Sequence, residues 1–106
     1  MTDIKTVDAK TLHEWVEENN VVIIDVREQE EYDEEHIPGS HLYPLSRFEA
    51  DLIPDPQGKK LVFHCRAGMR SHRACQTFLE SFSDREIYNL EGGILAWRNA
   101  GYPTKS

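Results

Sequence analysis

Cys65 ends the apolar run Leu61-Val62-Phe63-His64 and opens the segment Cys65-Arg66-Ala67-Gly68-Met69-Arg70, after which a helical pattern begins. A cysteine at a strand end, followed by a short turn of small and cationic residues and then a helix, is set up to be a thiolate. Turn amides can point at the sulfur, the next helix presents its positive end, and Arg66 and Arg70 flank it. Each effect favours S⁻ over SH, and the thiolate is the nucleophile. Cys65 is therefore the candidate catalytic residue. Arg66, Ala67, Gly68, Met69 and Arg70 are the candidate substrate-binding residues. No general base is required, because a lowered thiol pKa activates sulfur by itself.

The loop's length bears on which group it cradles. Protein tyrosine phosphatases use a similar strand, loop and helix, with a cysteine, five residues, then arginine. Here the sixth residue after Cys65 is Ser71, and the arginine comes one place early at Arg70. One residue fewer makes a tighter ring of amides, suited to one sulfur atom and too small for a phosphoryl group.

Other chemistry-bearing residues read as structural. Cys75 shares an apolar helix face with Ala74 and Phe78, so it is a packed thiol. His64 faces away from Phe63 and Cys65 by strand alternation and reads as a packed histidine. His72 and Arg73 read as exposed helix residues and Trp97 as core. Asp25 and Arg27, at the end of another buried strand, read as a buried ion pair or turn-fixing pair near the site. His36 has no cysteine or second histidine at ligand spacing, so no metal is expected. No cofactor is expected either. The acidic run from Glu28 to Glu35 reads as a solvated helix face, with docking of a basic partner as its alternative.

The elements that must position Cys65 follow from periodicity. Residues 4–7 form a short strand candidate. Asp8 caps a helix over 9–18, with Leu12, Trp15 and Val16 on one face. The β-branched run Val21-Val22-Ile23-Ile24 predicts a strand buried on both faces. A polar helix over 28–34 precedes a turn at Ile37-Pro38-Gly39, and His41-Leu42-Tyr43 is a brief strand. Residues 45–53 predict a helix burying Leu45, Phe48, Leu52 and Ile53. Strand 61–64, a helix over 71–81, strand 87–90 and a last helix after Gly92-Gly93 complete the chain. Gly101 and Pro103 end that last helix. Strands alternating with helices predict an α/β fold, a mostly parallel central sheet with helices on both faces. Ligands bind such sheets beyond the strands' carboxyl ends, where Cys65 lies.

The 106 residues suit a single domain, and a chain this size holds a core without disulfides. A net charge of −7 argues against nucleic acid and anionic membranes as partners. A local cationic pocket at 65–73 still survives on such a protein, because salt screens charge over about 8 Å. Met1-Thr2-Asp3-Ile4-Lys5 lacks the apolar core of an export signal, and no run is long enough to span a bilayer. Two cysteines without such a signal imply free thiols in a reducing cytoplasm, and a monomer is expected.

Four ordered motifs together resemble the single-domain rhodaneses, which are sulfurtransferases, across nearly the whole chain. They are Asp25-Val26-Arg27 with Glu31-Tyr32, His36-Ile37-Pro38-Gly39, the 65–71 loop, and Gly92-Gly93 followed by Trp97. Glu35 stands where the family usually has glycine. The resemblance implies a rhodanese-like fold and a Cys65 persulfide. The Cys65 thiolate would take sulfur from thiosulfate or a persulfide and pass it to cyanide, a thiol or a protein thiol. A cysteine-dependent phosphatase or arsenate reductase is the alternative enzyme, and a non-catalytic interaction module the alternative without chemistry.

Overall fold

The computed structural model describes residues 4–106. Met1–Asp3, part of the segment read above for an export signal, lie outside the described residues. Strands β1 (Lys5–Val7), β2 (Val21–Asp25), β3 (His41–Leu42), β4 (Lys60–His64) and β5 (Tyr88–Leu90) form one sheet in the order β1-β5-β4-β2-β3. Every pairing is parallel, as the alternation of strand and helix requires. Helices α1 (Ala9–Glu17) and α4 (Gly93–Asn99) pack together on one face, and α3 (Met69–Ser81) covers the other. Helix α2 (Gln29–Glu34) follows the carboxyl end of β2. Among the described residues, no helix is long and apolar enough to cross a membrane.

β2 and β4 are central and apolar on both sides, which is why their sequences read as unbroken hydrophobic runs. Alternate residues feed two cores. Ile23 and Val62 join Leu12, Leu90, Ile94 and Trp97 on the α1/α4 side. Ile24, Leu61, Phe63 and Cys65 join Ala74, Cys75 and Phe78 beneath α3. Cys65 thus lies at the carboxyl end of the middle strand, with its side chain turned toward α3.

Most boundaries match the periodicity. Asp8 caps α1 by accepting the Thr11 amide proton at 2.8 Å. Three expectations change. α3 begins at Met69, two residues earlier than expected, because Gly68 at φ 112° turns the chain straight from the loop into the helix. Ile4, Tyr43 and Ile87 lie just outside β1, β3 and β5 instead of belonging to them. The helix expected over 45–53 is instead two single 3-10 turns, Leu45–Arg47 and Ala50–Leu52. Tyr43 and Leu45 donate backbone hydrogen bonds to the Asp25 and Val26 carbonyls, tying this segment to the end of β2. Phe48 and Glu49 are extended, as is Ile53, which precedes Pro54. Leu45, Phe48 and Ile53 still pack on the α3 side, but Leu52 is 58% exposed, against the expected burial.

Candidate active site

The loop from Cys65 to Arg70 is shaped by where its backbone groups go. The Cys65 and Arg66 carbonyls turn outward and accept the Ile94 and Leu95 amides at the start of α4, at 3.0 and 3.2 Å. The close approach needs Gly93. A Cβ there would come within 2.5 Å of the Cys65 carbonyl oxygen and closer still to that of Arg66. With the carbonyls facing out, loop amides are left facing in. The Gly68 amide donates to Cys65 Sγ at 3.1 Å.

Sγ also has a hydroxyl beside it. Ser71 Oγ lies 3.4 Å away, on the first turn of α3, fully buried. Asn89 on β5 orders that hydroxyl. Its Nδ2 donates to the Gly68 carbonyl at 3.0 Å, so its Oδ1 is the acceptor, and Ser71 Oγ sits 2.5 Å from it. The single Ser71 proton therefore has a choice. Asn89 Oδ1, the Gly68 carbonyl at 3.2 Å and the Cys65 sulfur all lie within its reach. Burial pushes the Cys65 thiol up. The Ser71 hydroxyl and then the Ser71, Gly68 and Ala67 amides pull it down further, so it ends below the ordinary thiol value. Cys75 has no such donors. Burial and the Cys65 charge push it up to about 12, and it is buried in the core beneath α3, as a packed thiol should be.

The two loop arginines do different things. Arg66 is exposed and makes no ion pair among the described residues. Arg70 donates from both of its terminal nitrogens to the two carboxylate oxygens of Glu31 on α2, at 2.8 and 2.9 Å. The acidic run is therefore not simply solvated, since Glu31 holds Arg70 and Glu35 holds Arg98 at 2.8 Å. Ala67 is exposed, and Met69 is 84% exposed at the mouth of the loop. Beside the loop, Arg66 and Arg27 line a cleft of about 330 Å³ with Glu31, Glu34, Glu35 and Arg98.

Asp25 and Arg27 underpin this wall. The Arg27 Nη2 donates to Asp25 Oδ2 at 2.7 Å and to the Glu35 carbonyl at 2.7 Å, and its amide donates to Asp25 Oδ1 at 2.9 Å. Both side chains are buried, which fits the ion-pair and turn-fixing role. His64 pairs in register with Asp25 across β4 and β2. Its Nδ1 lies 3.2 Å from the Cys65 carbonyl, which can only accept, so Nδ1 carries hydrogen. Its Nε2, 3.5 Å from Asp25 Oδ2, has no hydrogen-bond partner. Burial holds His64 below its ordinary pKa, against the opposing pull of Asp25. Trp97 is core, its Nε1 donating to the Pro103 carbonyl at 2.8 Å.

Sequence reasoning brought together Cys65, the loop, Asp25 and Arg27, and the structure places them at one end of the sheet. It missed Asn89 and the parts played by Ser71, Glu31 and Gly93. Asn89 did leave a signal, as a polar residue inside the apolar strand Ile87-Tyr88-Asn89-Leu90.

The chain belongs to the rhodanese-like domain family, which it matches over residues 8–100. It is 40% identical over 99 residues to an uncharacterized Synechocystis protein, covering 93% of this chain and 55% of that one. The chain therefore spans about half the length of that relative. It is 31% identical over 91 residues to a thiosulfate sulfurtransferase of Coxiella burnetii, covering 86% of this chain and 83% of the relative. Among solved structures, a rhodanese-related protein of Thermoplasma volcanium matches with a TM-score of 0.80 and 29% identity, over 95% of this chain and 97% of that one. A Rhodopseudomonas palustris protein of unknown function, a candidate tyrosine phosphatase, matches with a TM-score of 0.76 and 31% identity, over 96% and 85%.

Proposed function

We propose that this protein is a sulfurtransferase that carries sulfane sulfur on Cys65. The Cys65 thiolate attacks the outer sulfur of thiosulfate, releasing sulfite, or of a persulfide, releasing a thiol. The resulting Cys65 persulfide then gives its terminal sulfur to cyanide, a thiol or a protein thiol. The observation that carries this reading is the surround of Sγ, with the Gly68 amide at 3.1 Å and the Ser71 hydroxyl at 3.4 Å. Donors fixed in place stabilise charge on sulfur without reorganising. Ala67 and Met69 line the mouth, and Arg66 supplies a cation for an anionic donor. In this reading the chain acts as a monomer with small-molecule donors and acceptors. Its two free cysteines support a reducing cytoplasm.

The test is intact mass after thiosulfate. Wild type gains one sulfur atom, removed by cyanide, and Cys65→Ser gains none. A Cys65→Ser protein that still converts cyanide in the presence of thiosulfate would overturn the assignment. The likeness to a candidate tyrosine phosphatase favours a second reading, phosphate-ester hydrolysis on the same cysteine. The short loop and the pairing of Arg70 with Glu31 oppose it. Hydrolysis of 4-nitrophenyl phosphate that depends on Cys65 would favour it instead.

A further inference from the structure

We propose that Glu31 sets the class of sulfur donor: by closing its carboxylate on Arg70 it withdraws a cation from the loop's mouth and favours low-charge thiol persulfides over dianionic thiosulfate. This rests on the sulfur-transfer reading above and adds a specificity residue to it.

The pairing is built, not incidental. Arg70 lies on the first turn of α3 and Glu31 on α2, 39 residues apart, and each terminal guanidinium nitrogen meets its own carboxylate oxygen. Glu31 is held from behind, since its Oε1 also accepts the Glu28 amide at 3.0 Å in the cap of α2. The Arg70 side-chain bond, opposed by burial, brings the Glu31 carboxyl down to about 2, so it stays ionised through the physiological range.

The remaining charges at the mouth leave little for a dianion. In the adjoining cleft Arg27 is committed to Asp25, Arg98 to Glu35, and Glu34 adds a further negative charge. Arg66 is the cation there without an ion pair among the described residues. The protein as a whole carries −7. Met69, 84% exposed next to Arg70, offers apolar contact instead of charge. In the favoured step the Cys65 thiolate attacks the outer sulfur of R–S–SH. A new sulfur–sulfur bond forms, the old one breaks, and its electron pair leaves with RS⁻, which takes a proton from water. Cys65 becomes Cys65–S–SH, with no net oxidation.

The experiment compares thiosulfate, a dianion, with cysteine persulfide, which carries at most one net negative charge near neutral pH, by the rate at which each loads Cys65. Glu31→Gln keeps an oxygen for the Glu28 amide but removes the charge and one bond to Arg70. It should raise kcat/KM for thiosulfate about fivefold, the worth of one partly screened charge, and steepen its salt dependence. Cysteine persulfide should stay within about twofold. Asp33→Asn makes the same charge change at an exposed site on α2 and should move neither donor. Thiosulfate use that is unchanged in Glu31→Gln, or raised equally by Asp33→Asn, overturns the proposal. Should Glu31→Gln not fold, wild type decides: equal use of the two donors overturns it. Failure of both donors to load wild type would instead sink the sulfur-transfer reading, and this proposal with it.

Discussion

Ser71→Ala isolates how the loop activates its sulfur. Cys65 is 1% exposed, and burial alone raises a thiol. The lowering must come from hydrogen bonds, and the Ser71 hydroxyl is the largest of them. A hydrogen bond to a charged group contributes about 1.5–3 kcal/mol. Two features place this one at the lower end. The Oγ–Sγ distance is 3.4 Å, and the same proton is also within reach of Asn89 Oδ1 at 2.5 Å and the Gly68 carbonyl at 3.2 Å. About 1.5 kcal/mol corresponds to about tenfold in the balance of thiol and thiolate. The assay is alkylation of Cys65 by iodoacetamide across pH, with Cys75 buried and unreactive as internal control. On the acid side of its inflexion, Ser71→Ala should react about tenfold more slowly than wild type. Its whole profile should move to higher pH, while the limiting rate at high pH barely changes. Superimposable profiles would refute the reasoning and leave activation to the backbone amides alone.

Arg66→Ala should lower kcat/KM with thiosulfate about fivefold, since an exposed cation contributes about 1 kcal/mol at most, and added salt should shrink the difference. Gly93→Ala should disrupt the loop, because its Cβ would collide with the Cys65 and Arg66 carbonyls. Loss of sulfur loading with at least about 1 kcal/mol of stability, read from urea unfolding, is the expected result, and a fully active, equally stable variant would contradict it. His64 gives a pH dependence. Its folded pKa lies below 6.5, so the unfolded chain takes up a proton first as pH falls. Its contribution is fully present above about pH 6.5 and is lost below it. The urea midpoint of wild type should fall between pH 7.5 and 5.5 more than that of His64→Gln, and equal slopes would count against it.

Much of the fold was legible because burial leaves a pattern on local sequence. The β-branched run Val21-Val22-Ile23-Ile24 predicted the strand β2, and Asp8 caps α1 as its side chain predicts. Cys65 was found because a strand end, Gly68 and a helix start are contiguous in the chain. The segment 45–53 was misread because Leu45, Phe48, Leu52 and Ile53 repeat at helical spacing. That spacing is silent about the backbone bonds from Tyr43 and Leu45, which tie the start of the segment to the end of β2, and about the extended residues Phe48 and Glu49 that split it into two 3-10 turns.

What the sequence by itself determined is the chemistry available: a cysteine after a central apolar strand, small residues that let the backbone turn around it, and cations nearby. Only the tertiary structure decided how that chemistry is tuned. Ser71 and Asn89 meet across 18 residues, Arg70 and Glu31 across 39, and α4 brings its first amides to carbonyls almost 30 residues earlier. The reason is physical. Polar groups leave no periodicity of their own, and a hydrogen bond or ion pair exists only once apolar packing has fixed both partners within about 3 Å of each other.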